Sequence, residues 1–483
     1  MRSSQRRYKT SVVDLHSSGT LLKRGGLGLV LTLGMGISIS SLAAQTMSPH
    51  QQAVHEAMAS AERSASTTSL LNNLPTVSGA QDDSSATALP SSEAIAAGAV
   101  IEQPTPAGYS LPSNWVEAGL DISKARVEQG KLVQTLESGA KITLTIDPEV
   151  QEQLEKMYAQ YKIPYGGLVI LEPSTGRVLA MISQTAQGEE ELGDVARLDI
   201  APSASVFKIV TIAALVEGEG FSATKEVCYH GGIRSLTEKN IEGDPARDNR
   251  CGDLSDAMAW SINSLVAKLA YQHISREELN DWAGRFGYNQ EIPFELPVAK
   301  SEFEAVKDRH EFARSAAGFW HSTLSPLHGA LIGAAVVNDG VMMQPTLIER
   351  YEDPSGKVLK EFEPKRFKRV MKKSTAQALK GMMERTTSVG TARKYFRHRK
   401  DFPQNIKTGG KTGTLSRKDP SYLGYTWFVG FGEEASDTSI DVAVGGLVCN
   451  KPLWHIKGPY AASEGIRLAI ESLKKKQKAG KKG

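Results

Sequence analysis

Strand-like periodicity clusters at two ends of the chain's ordered part, and some 200 residues of mostly helical pattern separate them. "GGLVILEPSTGRVLAMIS", residues 166–183, reads as two apolar strands joined by a Pro-Ser-Thr-Gly turn, a hairpin. Three more strand-like runs follow much later: "KTGGKTGTL" at 407–415, "YTWFVGFGE" at 425–433 and "IDVAVGGLV" at 440–448. Short apolar strands must pair, so early and late strands are expected in one antiparallel sheet. The stretch between, about 203–340, is then a helical insertion. The predicted fold class is mixed α/β (α+β): an antiparallel sheet flanked by helices, with an all-helical subdomain inserted.

The flanking helices carry local signals. Asp147-Pro148 caps "PEVQEQLEKMYAQ", just after the strand-like "KITLTID". "TLSPLHGALIGAAVVNDG" is a helix opened by Pro326 and closed by Asn-Asp-Gly, and "STAQALKGMMERTTS" and "AASEGIRLAIESL" are two more.

Residues ahead of this region differ in kind. Arg2, Arg6, Arg7, Lys9, Lys23 and Arg24 stand against one acid, Asp14, and residues 25–44 carry no charge. A basic arm before an apolar run is an export signal, and ~20 residues also suffice to cross a bilayer. Cleaved signal and retained anchor are both open; either places the remainder outside the cytoplasm. Residues 45–110, rich in Ala, Ser, Thr and Pro, bury too little apolar surface to fold alone and read as a tether. The expected layout is a basic cytoplasmic arm (1–24), signal or anchor (25–44), tether (45–110), short lead-in (111–138), main domain (139–473) and solvated basic tail (474–483). A net charge of +3 on 483 residues gives no footprint for nucleic acid.

Of the three cysteines, Cys228 and Cys251 bracket a polar, glycine-containing loop and are expected to pair; closing it is worth ~3 kcal/mol. Cys449 lies in an apolar strand pattern and is expected to be a buried thiol. Neither C-x-x-C nor H-E-x-x-H occurs, so no metal is implied.

Three short motifs carry chemistry. In "APSASVFKIVTIAALVEG", Ser205 and Lys208 are three apart on one helix face. A serine at a helix start sits where the dipole favours a nascent oxyanion, and a lysine amine driven towards neutrality can take its proton. In "AMAWSINSLVAKLA", Ser261 can relay a proton and the Asn263 amide can hold a substrate amide. In "KTGGKTGTL", Thr412 and Thr414 share a strand face and can grip a carboxylate, with Gly413 allowing close backbone approach and Lys411 adding positive charge. Lys407 begins a second Lys-Thr-Gly, but it lies roughly 13 Å earlier along an extended strand and lacks the second hydroxyl. It is read as a strand-opening residue near a Gly-Gly bulge. A phosphate loop would need glycine where Asn405 stands, and G-x-S-x-G is absent.

In combination and in this order, S-x-x-K, S-x-N and K-T-G-T resemble the penicillin-binding protein transpeptidase domain and the related serine β-lactamases. "ITLTIDPEVQEQLEK", "RFGYNQEIPFELP", "AAGFWHSTLSPLHGALIGAAVVNDG" and "TWFVGF" look like further segments of that family, so the likeness spans about 139–473. Ahead of it neither a glycosyltransferase module nor a large amino-terminal pedestal is expected, a class B-like layout lacking that pedestal. Some family members carry a cysteine pair ahead of S-x-N, which agrees with Cys228–Cys251.

The resemblance implies a fold and a set of roles. Ser205 would be the acylated nucleophile, Lys208 its base, Ser261 the proton relay, Asn263 the substrate-amide ligand and Lys411 the residue ordering the relay. Thr412, Gly413 and Thr414 would bind the substrate's end, and the Ser205 and Thr414 backbone N–H groups would form the oxyanion hole. The implied activity is peptidoglycan D,D-transpeptidation through a serine acyl-enzyme, without metal or organic cofactor. The implied location is the periplasmic side of the inner membrane. Implied partners are stem peptides, β-lactams, cell-wall synthesis proteins and the membrane itself through the N-terminal segment. A D,D-carboxypeptidase, a class D-type β-lactamase and a non-catalytic penicillin-binding receptor are the alternatives. Trp320, His321 and His328 are read as packing or cleft-lining residues.

Overall fold

The computed structural model describes residues 110–231, 236–418 and 421–480. The basic arm, the apolar run and all but the last residue of the expected tether lie outside the described residues, as do the last three residues of the tail.

The central sheet has five antiparallel strands: β1 (Tyr165–Leu171), β2 (Val178–Thr185), β3 (Ile406–Arg417), β4 (Leu423–Glu434) and β5 (Asp437–Asn450). Their spatial order is β3-β4-β5-β1-β2, so the early hairpin and the late strands share one sheet. The seam pairs Val448 with Gly166 and Ala443 with Leu171. β4 is buried along its whole length, which is why its apolar run does not alternate. β3 is an edge strand, and its free edge is what a ligand can meet.

Helices cover both faces. On one lie α1 (Pro148–Gln160), which Asp147 caps by accepting from the N–H groups of Glu149 and Val150, and the long C-terminal helix Gly458–Gly480. On the other lie Pro326–Val337, capped by Ser325 and buried through Val336, and Lys373–Ser388. The insertion supplies Lys208–Ala213, Leu254–Trp260, Asn263–His273, Arg276–Arg285 and Arg309–Ala316. A two-stranded ladder there pairs Cys228 with Cys251, and the two are joined by a disulfide. Cys449 is buried and free.

Three local findings go beyond the sequence reading, and the last two correct it. The strand within "KITLTID", Lys141–Leu144, does not join the central sheet. It sits in a second five-stranded sheet between Lys131–Thr135 and Ile348–Glu352, so the lead-in segment is folded against residues two hundred positions later. Glu349 ties this sheet down, accepting from both Lys131 (2.8 Å) and Arg177 (2.9 Å). Second, there is no bulge at Gly409-Gly410: the register runs unbroken from Gly409 opposite Phe431 to Gly410 opposite Gly430. Both positions are glycine because the Phe431 and Phe428 rings fill the space a Cβ would need. Third, the last helix continues through Gly480 into the basic tail, where Lys474 and Lys476 pair with Glu434 (2.6 Å) and Asp147 (2.7 Å). Burial of those two carboxylates gives the lysines partners that sequence periodicity does not reveal.

Candidate active site

Ser205 lies on a single 3₁₀ turn, Ala204–Phe207, that leads into the helix beginning at Lys208. The turn is held from three sides. The Trp427 indole N–H on β4 donates to the Pro202 carbonyl (2.9 Å), the Ser203 N–H donates to the Ser322 carbonyl (3.0 Å), and the Ser203 hydroxyl donates to the Thr323 carbonyl (3.0 Å). Ala204 adopts a left-handed φ of 50°, costly for a residue with a Cβ and sustained only where neighbours over-determine it. Gly318 is one of those neighbours. Its φ is +88°, and a Cβ there would stand 2.2 Å from the Ala204 carbonyl oxygen, so only glycine lets the chain run this close to the turn that carries Ser205.

Lys208 is fully buried. Its Nζ is 2.8 Å from Ser205 Oγ and 2.7 Å from Asn263 Oδ1, and it also meets the Ala317 carbonyl. Burial, reinforced by the charge of Lys411, holds its pKa well below the usual lysine range. A neutral amine has two N–H donors and one lone pair. The Asn263 and Ala317 oxygens can only accept, so they take the two hydrogens. The lone pair is left facing the Ser205 hydroxyl, the arrangement a general base requires. Because its Oδ1 is turned to Lys208, the Asn263 side chain leaves its NH₂ available to the cleft.

Lys411 is also fully buried, beneath the floor of the cleft, and burial pushes its pKa down to about 7. Its Nζ donates to the Thr412 carbonyl (2.9 Å). Lys407 is exposed and lines a separate depression with Phe396 and Phe402. Ser261 has a left-handed φ of 57° at the joint between Leu254–Trp260 and Asn263–His273, which turns it into the cleft one residue before the second helix cap.

The cleft measures about 950 Å³. Ser205, Ser261, Asn263, Thr412, Gly413 and Thr414 all line it. Of the sequence-nominated residues, Ser205, Lys208 and Asn263 are in direct hydrogen-bond contact. Ser261 and the Thr412–Thr414 strand edge face the same space, and Lys411 acts from below. Gly413 packs on Ala204 and Trp427, bringing the strand edge to the turn that carries Ser205. No carboxylate lines the cleft among the described residues; its charged residues are Arg314, Lys394 and Lys457.

Sequence reading missed four contributors: Trp260, Thr391, the Ala317 carbonyl and Gly318. Trp260 and Trp320 are both exposed and line the cleft, Trp260 directly beside Ser261. Thr391 bonds Thr412 from 21 positions away, and no local periodicity points to it. Of the two histidines, His328 is packed under Tyr288 and bonded to the Phe286 carbonyl, whereas His321 pairs with Glu311 at the surface.

A family model described as the penicillin-binding protein transpeptidase domain matches residues 166–446. Peptidoglycan D,D-transpeptidase PbpA of Mycolicibacterium smegmatis is 26% identical over 340 residues, 63% of this chain and 67% of that protein. The Mycobacterium tuberculosis PbpA is 27% identical over 345 residues, 65% of this chain and 68% of that protein. Among solved structures, the D,D-transpeptidase domain of a peptidoglycan glycosyltransferase from Eggerthella lenta superposes with a TM-score of 0.59 at 22% identity, covering 73% of this chain and 90% of that one. Penicillin-binding protein A from M. tuberculosis, solved as a ceftriaxone acyl-enzyme complex, superposes with a TM-score of 0.57 at 24% identity, covering 68% and 79%. With the matched region covering more than half of its length, the chain belongs to the penicillin-binding protein transpeptidase-domain family.

Proposed function

We propose that this chain is a peptidoglycan D,D-transpeptidase that works through an acyl-enzyme on Ser205. The observation that carries the reading is the buried Lys208 amine, 2.8 Å from Ser205 Oγ, with its other bonds directed at two acceptor-only oxygens.

Ser205 Oγ attacks the carbonyl between the two terminal D-alanines of a stem peptide while its proton passes to Lys208. The backbone N–H groups of Ser205 and Thr414 hold the oxyanion. The C–N bond then breaks, and the proton reaches the departing amine by way of Ser261. D-Alanine leaves with its carboxylate, which the Thr412 and Thr414 hydroxyls had gripped. An amine of a neighbouring stem attacks the ester, Ser205 recovers its proton, and a cross-link amide remains. A cleft whose charged residues, among those described, are all positive suits a donor that ends in a carboxylate. A β-lactam acylates the same serine, but its opened ring stays attached, so the ester persists. The basic arm and charge-free run ahead of the domain fit work outside the cytoplasm, at the membrane where peptidoglycan precursors arrive.

Fluorescent penicillin should label the purified protein, the label should map to the peptide carrying Ser205, and Ser205→Ala should abolish it. Labelling that survives Ser205→Ala overturns the nucleophile. A pentapeptide donor should yield dimer when an acceptor amine is present; tetrapeptide alone would make the protein a D,D-carboxypeptidase, and rapid turnover of penicillin a β-lactamase.

A further inference from the structure

Thr391 lies outside all three motifs, yet its hydroxyl oxygen is 2.7 Å from the hydroxyl oxygen of Thr412. Its backbone is clamped. The Thr391 N–H donates to the Ala259 carbonyl (3.0 Å), two residues before Ser261. The preceding residue must be glycine, because a Cβ on Gly390 would stand 2.1 Å from that same carbonyl oxygen. Gly390 N–H in turn closes the helix Lys373–Ser388 on the Arg385 carbonyl (2.8 Å), and Ala392 N–H bonds the Thr386 carbonyl (3.0 Å). So the one rigid turn joins the end of a long helix, the joint carrying Ser261 and the strand carrying Thr412, and it exposes the Thr391 side chain to the cleft.

Two hydroxyls at this distance share one hydrogen. If Thr412 donated to Thr391, its own hydrogen would be spent and it could not donate to a ligand. A carboxylate offers only acceptors. A carboxylate seated on the Thr412 and Thr414 hydroxyls therefore selects the other arrangement, in which Thr391 donates to Thr412 and Thr412 donates to the carboxylate. A donor chain of this kind is also polarised along its length, which strengthens the last bond.

On the acyl-enzyme reading given above, we propose that Thr391 is a positioning residue for the substrate carboxylate: by donating to a Thr412 lone pair it points and polarises the Thr412 O–H towards the carboxylate. It touches no reacting atom, so its effect is confined to ligands that carry a carboxylate.

The test compares a penicillin with its methyl ester, which has the same reactive ring and no carboxylate. Acylation rates of both are measured on the full chain for wild type, Thr391→Val and Thr391→Ser. Valine keeps the shape and removes the hydroxyl; serine keeps the hydroxyl. Thr391→Val should slow acylation by the free acid roughly three- to tenfold, the loss expected for one hydrogen bond, and leave the ester within about twofold. Thr391→Ser should recover the ratio of acid to ester. A valine variant that slows both probes equally has a merely structural lesion, and one that slows neither has no role; either overturns the proposal. Failure of both probes to acylate wild type at Ser205 is a separate result, which removes the acyl-enzyme reading and this inference together.

Discussion

Lys208 and Lys411 are both fully buried, and the charge of Lys411 depresses the pKa of Lys208. No carboxylate bonds either ammonium among the described residues. Two like charges in a poorly solvated floor do not both keep their protons near neutrality. The first proton lost belongs to the pair, and whichever lysine yields it, Lys208 is the one beside the serine.

Acylation should therefore persist at pH values well below the ordinary lysine range, because burial and the Lys411 charge keep Lys208 unprotonated there. It should fall only where acid protonates Lys208 and leaves Ser205 without a base. Rates of penicillin acylation from acidic to alkaline pH check this, and a rate that falls away below the ordinary lysine range near 10.5 would show that burial has not moved Lys208.

Lys411→Ala should reduce acylation by roughly 10²-fold or more, the scale of a lost proton-transfer contribution, and Lys407→Ala should stay within about twofold. Equal losses would show that the first Lys-Thr-Gly serves the site. Stability should move the other way. Lys411 has a folded pKa of about 7 against an ordinary 10.5, so between those values only the unfolded chain is protonated there. Wild-type stability then rises with pH across that window. Lys411→Met makes the slope shallower, leaving the part that Lys208 contributes, and should stabilise the fold at pH 7, because it removes an unpaired ionisable group from the interior. Urea unfolding at pH 7 and pH 9 measures both effects.

The Cys228–Cys251 link closes a 23-residue separation that also contains Asp248. Asp248 accepts from Lys268 (2.6 Å), whose Nζ also reaches the Cys228 carbonyl (2.9 Å). Alkylation of the unreduced, denatured chain should find one thiol, Cys449. Finding three would refute the bond. Replacing both linked cysteines by serine should cost about 2–4 kcal/mol in chemical unfolding.

Much of this molecule is written locally. The apolar runs of β1, β4 and β5 read as strands because a strand's signal is contained in a few consecutive residues. Asp147-Pro148 and Ser325-Pro326 announce their helices because a cap needs only its own next turn. The two Lys-Thr-Gly copies could be told apart for a similar reason, since Thr414 follows one and glycine the other, and it is the strand edge of the second copy that lines the cleft. By contrast, Ile348–Glu352 and Val358–Glu361 pass unnoticed in sequence: they pair with each other, only the first also meets a distant strand, Lys141–Leu144, and the burial of both is partial, so neither shows a clean apolar alternation. Gly409-Gly410 looks like a bulge until the two phenylalanine rings are in place.

The order of S-x-x-K, S-x-N and K-T-G-T, the hairpin far ahead of its three sister strands and the helical insertion between were all contained in the chain itself. Spacing along a backbone specifies which groups can share a turn or a strand face. It does not specify protonation. The depressed pKa proposed to make Lys208 a base depends on burial and on Lys411, with Asn263 and Ala317 closing around it from separate elements, and Thr391 reaches Thr412 only because Gly390 can press against Ala259. Loss of solvent and convergence of distant charges are properties of the packed interior, and those two set the chemistry of the site.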